Sequence, residues 1–289
     1  MTDARIHDQG YRRYDGPRRG VPGAVTSVAW NAVLRALGLR RSAWTKVLPI
    51  AAVLIAYLPA AVFVGLAALV PARLRDGTDL LPEYSDYYGF ITAAIVLFVA
   101  LVGPEVLCSD RRTGMLGLYL ASPLNRTTYL VAKVLAVVPV LALVTVGPPM
   151  LLLIGLTLAN AGPDGVGDVV LLFLRIAVSG VVISAVYTAL SLAAASMTDR
   201  RAMASAGLIL FLFSGSVATA ILVEQAGTDS RLLLLNLFFL PFELVQRIFG
   251  KVGGNPELST VSLACAEAAW TLACGWFVWW RYDRMTVTR

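Results

Sequence analysis

Residues 88–108 have the sequence YGFITAAIVLFVALVGPEVLC, in which Glu105 is the only charged side chain. An α-helix rises about 1.5 Å per residue, so about 20 helical residues cross the ~30 Å hydrocarbon layer of a bilayer. A lone strand in lipid leaves backbone groups without hydrogen bonds, whereas a helix satisfies its own. This stretch therefore predicts a transmembrane helix.

Further stretches of the same character lie at residues 47–70, 129–159, 169–197, 202–223 and 262–280. They explain why 58% of the 289 residues are apolar and why the mean hydropathy is +0.74, since soluble domains are less apolar. We predict an all-α, polytopic membrane protein in which residues 47–289 form one domain of six transmembrane helices.

Basic residues predict the orientation, because Lys and Arg in short loops stay preferentially in the cytoplasm. Eighteen of the 24 lie before the first stretch, around the loops after the second and fourth, or at the C-terminus, and five lie on the other side. Both termini are therefore predicted to be cytoplasmic.

Arginine outnumbers lysine 21 to 3, a bias typical of GC-rich bacteria, which indicates a bacterial plasma (inner) membrane. The net charge of +6 follows from this topology and gives no reason to invoke nucleic acid.

Segments outside the six stretches are assigned from their composition. Residues 1–24 are polar and glycine-rich, which predicts a cytoplasmic tail. Residues 25–46 have apolar side chains at helical spacing together with Trp30 and Trp44, which predicts an amphipathic interfacial helix; a cytoplasmic helix packed on the protein is the alternative. Residues 232–242 are apolar but too short to cross a bilayer and are interrupted by Pro241, which predicts a re-entrant segment before the last span.

Residues 110–126 form the short connection between the second and third apolar stretches. Leucines recur every fourth residue at 116, 120 and 124, which predicts a short helix with one apolar face. Asp110 or Thr113 is expected to cap its start and Ser122-Pro123 to end it. We predict a docking surface for another protein, and the alternative is a plain connector packed on its own spans. The predicted docking residues are Asp110, Arg111, Arg112, Gly114, Leu116, Leu120, Ser122, Pro123 and Arg126.

This segment resembles the pattern E-R-x-x-G-T-L-E-x-L-L-x-S-P-L-S-R that bacterial ABC-2 type exporter permeases carry after their second span. The chain departs from the pattern at Met115, which stands for Thr, and at Gly117, which stands for Glu. The matching residues are Asp110, Arg111, Gly114, Leu116, Leu118 or Tyr119, Leu120, Ser122, Pro123, Leu124 and Arg126, followed by Lys133.

The resemblance implies a transmembrane permease subunit of an ATP-driven exporter. The helix after the second span would be a coupling helix seated on a separate ATP-binding cassette subunit, and a second permease subunit, identical or different, would pair with this chain. The sequence has no G-x-x-x-x-G-K-[ST] phosphate loop, since Gly250-Lys251 lacks the upstream glycine and the following hydroxyl. ATP and Mg are therefore expected in the partner subunit, and this chain is expected to hold no cofactor, metal or catalytic residue.

Three charged side chains lie within or at the ends of predicted spans and are candidate intramembrane sites. Glu105 is expected to form a salt bridge, being close in sequence to Arg111 and Arg112. Arg175 is expected to reach the headgroups beside Asp168. Glu267 is expected to line a polar cavity or to meet Arg175.

Three other classes of membrane protein were weighed. An ion-coupled secondary transporter needs intramembrane acids, for which Glu267 is a candidate, and a non-transporting assembly protein needs none; both remain alternatives. An intramembrane protease is disfavoured, because the only histidine is His7 in the polar tail.

Overall fold

The computed structural model describes residues 16, 19–39, 43–71 and 81–285, with only the backbone for 43–45, so most of the predicted tail lies outside it. Within these ranges all regular secondary structure is helical. A π turn (Ile221–Gln225) continues α8, and a 3-10 turn (Ser230–Leu235) precedes α9. The α-helices are α1 (Gly20–Ala36), α2 (Ala43–Leu69), α3 (Tyr84–Arg112), α4 (Met115–Ala121), α5 (Arg126–Thr145), α6 (Gly147–Leu158), α7 (Val166–Met197), α8 (Arg201–Ala220), α9 (Leu240–Ile248) and α10 (Thr260–Asp283).

Six helical segments of the described chain are long and apolar enough to cross a membrane, which confirms the predicted all-helical, six-span fold. Their ends differ from the apolar stretches by a few residues, because polar and aromatic residues continue the helices into the interface. The segments are Lys46–Leu69, Tyr84–Arg112, Arg126–Leu158, Val166–Met197, Arg201–Gln225 and Thr260–Asp283.

The third span consists of two helices, α5 and α6, with the break at Val146. Pro148 and Pro149 follow the break in the first turn of α6; they have no amide hydrogen, so two α5 carbonyls lose their helical donors. The hydroxyl of Tyr57 on α2 donates to the neighbouring carbonyl of Leu143 at 3.0 Å. Gly147 allows this approach, because a Cβ there would overlap the Tyr57 hydroxyl.

α3 is the central helix of the bundle. The most apolar part of α3 is 72% buried, whereas the corresponding parts of α8 and α10 are only 17% buried. α3 packs on α2, α5, α7 and α8. Since α8 and α10 keep large apolar faces exposed, these faces are available to lipid or to another membrane protein. We call the end of the bundle that carries α1, α4 and the C-terminus of α10 the α4 end, and the opposite end the α9 end.

α1 lies at the α4 end and packs on α5 and α3 through a stripe of buried small residues, Val28, Ala29, Ala32 and Ala36. Small side chains let two helix backbones approach closely. The predicted helix 25–46 is divided in the structure: α1 ends before Gly38, which has a φ of 70°, and residues from 43 onward belong to α2. Trp30 on the outward face of α1 is 62% exposed, and its placement at a membrane interface stays a prediction.

The segment between α8 and α10 folds back on the α9 end without crossing, because the 3-10 turn and α9 are too short to span a bilayer. Pro241 does not interrupt a helix as expected; it lies in the first turn of α9, where its missing amide hydrogen costs nothing. Buried Glu243 accepts the amide of Gly254 at 3.0 Å and pairs with Arg247 at 3.3 Å. Arg247 in turn donates to the carbonyl of Asn255 at 2.8 Å. These bonds fix the loop after α9 onto that helix.

Candidate functional site

The turn between α3 and α5 differs from the single helix predicted for residues 110–126. α3 continues to Arg112, and α4 begins only after Gly114, whose φ of 71° is accessible to glycine at low cost. Thr113 caps no helix start; its hydroxyl donates back to the carbonyl of Ser109 at 2.8 Å. α4 ends before Ser122, as expected. α5 then starts with a capping box in which Asn125 and Thr128 exchange hydrogen bonds.

The apolar face of α4 points into the protein. Leu116 and Leu124 are buried, and Leu120 packs on the same core. The leucine stripe that predicted a docking face therefore covers the chain's own spans, as the connector alternative supposed. The side of the turn that faces away from the core exposes Leu118 to 65%, and the predicted docking residues on that side are Arg112, Gly114, Ser122 and Pro123.

Asp110 is fully buried beneath this turn and lies between two cations. Its carboxylate is 2.6 Å from the guanidinium of Arg35 on α1 and 2.5 Å from the ammonium of Lys133 on α5. The hydroxyl of Tyr129 donates to the same carboxylate at 3.0 Å. We call Arg35, Asp110, Tyr129 and Lys133 the Asp110 cluster. Because Asp110 is 0% exposed, its carboxylate makes its contacts within the chain.

The cluster also contacts α4. The Lys133 ammonium lies 5.5 Å from the ring centre of Tyr119 and 5.1 Å from that of Tyr129, distances typical of cation–π contacts. Burial works against the charge on Arg35, yet the adjacent Asp110 carboxylate outweighs it and raises the pKa of Arg35. Burial and then the charge of Asp110 raise the pKa of Tyr119. The cluster therefore joins α1, α3, α4 and α5 at one point.

Arg111 and Arg126, which are also predicted docking residues, donate hydrogen bonds to the C-terminal ends of α7 and α10. Arg111 forms an ion pair with Asp199 and donates to the carbonyl of Ser196 at 2.7 Å, and Arg281 donates to the same carbonyl at 2.5 Å. The last carbonyls of a helix lack intrahelical donors and carry partial negative charge, so arginine satisfies both needs. Arg126 bonds the carbonyls of Asp283 and Met285 at the end of α10.

The three candidate intramembrane residues are not brought together. Glu105 pairs with Arg201 of α8 at 2.6 Å rather than with Arg111 or Arg112. Arg175 donates to the carbonyl of Phe249 at 3.1 Å, and within the described residues no ion pair joins it to Asp168 or Glu267.

Glu267 is 5% exposed, and neither carboxylate oxygen has a hydrogen-bond partner in the described part of the chain. The hydroxyl of Tyr187 is likewise buried without a partner there.

Sequence reasoning did not assign the partners of Asp110. Lys133 was noted only as a residue after the motif, although a lysine within an apolar span indicates a buried counter-ion. Arg35 lies 75 residues from Asp110, and no local pattern connects them. The pair Glu243 and Arg247 has the i,i+4 spacing typical of helix ion pairs, and that signal was available in the sequence.

Comparison with known protein families finds a match over most of the chain. The sequence profile of a family described as "ABC-2 family transporter protein" matches residues 67–280, which include the α3–α5 turn, four complete spans and most of the last span. No curated protein matches the chain.

Proposed function

Because the chain belongs to the ABC-2 transporter family, we propose that it is a permease subunit whose α3–α5 turn couples transport to a separate ATP-binding cassette subunit. The family provides the membrane component of a transporter. The coupling surface we propose consists of Arg112, Gly114, Leu118, Ser122 and Pro123, which are the exposed side of the turn. This set adds Leu118 to the sequence-predicted surface and omits the residues that make internal contacts, namely Asp110, Arg111, Leu116, Leu120 and Arg126.

The observation that supports this most directly is that Leu118 is exposed on a turn whose neighbouring residues pack on the core and form ion pairs. Leu118 is 65% exposed, while its neighbour Tyr119 contacts Lys133 of the Asp110 cluster. A force applied to α4 by a partner would therefore reach α1, α3 and α5 through one set of buried contacts. Burial of an exposed apolar side chain such as Leu118 against a partner would stabilise the complex through the hydrophobic effect.

The remaining parts of the proposal follow from the family and from the distribution of charge. The α4 end carries the excess of basic residues, so it is assigned to the cytoplasm, where ATP and Mg would be bound by the partner subunit. The exposed apolar faces of α8 and α10 suit lipid and a second permease subunit. Transport is proposed to run outward, and the membrane is proposed to be the plasma membrane of a bacterium.

We expect Leu118→Asp to abolish partner binding. A charge at the centre of an apolar contact must be desolvated, so the affinity should fall about thirtyfold or more. The measurement is co-purification of ATPase activity with the tagged chain from membranes of its native host in mild detergent.

Leu39→Asp is the matched control, because Leu39 is 55% exposed on the loop after α1 at the same end of the bundle. It should retain the ATPase. A Leu118→Asp protein that is membrane-inserted and still co-purifies with the ATPase would contradict the proposed coupling surface.

The ion-coupled alternative depends on Glu267, whose buried carboxyl is an intramembrane acid of the kind that such transporters use. For an ATP-driven permease we expect Glu267→Gln to leave transport unchanged and the protein at least as stable, because the amide avoids the cost of burying a carboxylate. Uptake into inside-out vesicles with and without ATP is the measurement. Loss of transport in this variant together with ATP-independent uptake by the wild type would favour the ion-coupled function.

A further inference from the structure

A cavity of about 1020 Å³ opens at the α9 end, far from the Asp110 cluster. Its walls are the first part of α3, the last part of α8 with the π turn, and the chain from residue 230 to 255. Thr92 and Ser216 lie at its deep side. Thr92 is in the third turn of α3, so the cavity reaches roughly 12 Å along that helix. Its volume is at the upper end of the range that holds drug-sized molecules.

One wall of the cavity is aromatic and fixed in position. It contains Tyr88, Phe238, Phe239 and Phe242. The side-chain oxygen of buried Asn236 accepts the amides of Phe238 and Phe239, both at 3.1 Å. The rings of Phe238 and Phe242 are 6.3 Å apart. Aromatic faces carry partial negative charge and attract organic cations.

Among the residues that the structure describes, the ionisable groups around the cavity have an excess of negative charge. Lys251 is shared by Glu83 at 2.7 Å and Asp86 at 3.0 Å, so these three groups leave one negative charge. Glu243 is balanced by Arg247, as described above. Glu224 lines the cavity and forms no ion pair with any described residue, which adds a second unbalanced carboxylate.

Glu224 lies in the π turn that ends α8. A π turn costs more than regular α-helix and is found preferentially at functional sites. Here it places both Val223 and Glu224 in the cavity wall. An apolar side chain and an unbalanced carboxylate thus lie next to each other in a cavity that the aromatic residues also line.

We propose that this cavity binds a lipophilic organic cation, that is, a molecule with an apolar body and a delocalised or quaternary positive charge. The inference rests on the proposed transport function and names the class of substrate. Glu224 and the net negative charge of Glu83, Asp86 and Lys251 attract the positive charge, and the aromatic wall covers the apolar body. An anionic lipid of the same size would meet the unbalanced carboxylate of Glu224 in the wall and the net negative charge of Glu83, Asp86 and Lys251 beside it.

Tetraphenylphosphonium and tetraphenylborate test this directly, because they have nearly the same shape and opposite charge. Equilibrium dialysis of each ion alone against the purified full-length chain, with protein-free micelles as the blank, measures binding without ATP. We expect saturable binding of the cation and none of the anion. Saturable binding of the anion with equal or higher affinity, or no saturable binding of the cation, would overturn the proposal.

Two variants place the binding in this cavity. Glu224→Gln should weaken tetraphenylphosphonium binding at least fivefold, about the effect of one carboxylate near a partly solvated cation, and Phe242→Leu should also weaken it by removing an aromatic face. The control is Glu257→Gln, since Glu257 bonds Ser230 at the same end but does not line the cavity. Unchanged binding in both cavity variants, or an equal loss in the control, would contradict the site.

This assay is independent of the coupling proposal. If the chain binds the cation but no ATPase co-purifies with it, only the proposed coupling surface is contradicted. If an ATPase co-purifies but the chain does not bind the cation, only the proposed substrate of the cavity is contradicted.

Discussion

Asp110→Ala is expected to destabilise the protein by about 3–5 kcal/mol, because it leaves buried Lys133 without its counter-ion. Lys133 is 1% exposed and Asp110 is fully buried, so water cannot replace the lost carboxylate. Arg35 would lose the same partner, although its side chain is 22% exposed and can reach solvent. The measurement is the free energy of unfolding in mixed micelles, followed by tryptophan fluorescence.

Two further variants separate lost charge balance from lost packing. Lys133→Met should cost less than Asp110→Ala, because Asp110 would keep Arg35 and Tyr129 as partners. The double variant Asp110→Leu with Lys133→Met should recover much of the stability, since replacing a whole buried ion pair by apolar residues is often tolerated. If Asp110→Ala unfolded no more easily than the wild type, the cluster would have no structural role.

Gly103→Ala is expected to cost about 1–3 kcal/mol by overpacking the contact between α3 and α7. A Cβ at residue 103 would lie 2.5 Å from the Cβ of Ser191 and 3.0 Å from its backbone carbonyl carbon. Backbone cannot rotate away as a long side chain can, so the two helices must separate. Thermal unfolding of the purified variant provides the measurement.

Gly89→Ala is the control on the same helix, because a Cβ at residue 89 meets nothing within 4 Å. It should be neutral or slightly stabilising, since alanine favours helix more than glycine does. Equal destabilisation by both variants would point to a general effect on α3 and not to the contact with Ser191.

The Asp110 cluster gives α1 a defined place in the proposed mechanism. Arg35 joins α1 to α3 through Asp110, and Tyr119 joins α4 to the same cluster through Lys133. Displacement of α4 by a partner would therefore act on α1 through the contact between Tyr119 and Lys133. The cluster lies at the α4 end and the proposed substrate cavity at the α9 end, and α3 runs between them as the most buried helix.

The fold was largely predictable, and the site was predictable only in part. The lengths of the apolar stretches led to six spans, and Ser122-Pro123 correctly marked the end of α4. The leucine periodicity also correctly indicated that α4 has an apolar face. Periodicity carries no information on what covers that face, so Leu116 was assigned to a partner although it packs on the chain's own core. Asp110 was assigned from its match to the family pattern and as a helix cap, and neither signal shows that its side chain is buried.

The sequence by itself determined how many helices cross the membrane and where the chain turns, because span length, proline and glycine act through local backbone physics. Only the tertiary structure decided which residues meet: Arg35 finds Asp110 across 75 residues of chain, and the cavity is assembled from α3, α8 and the segment around α9. The physical reason is that charge pairing and cavity shape depend on distances in space. Those distances are set when the helices pack, and no local pattern contains them.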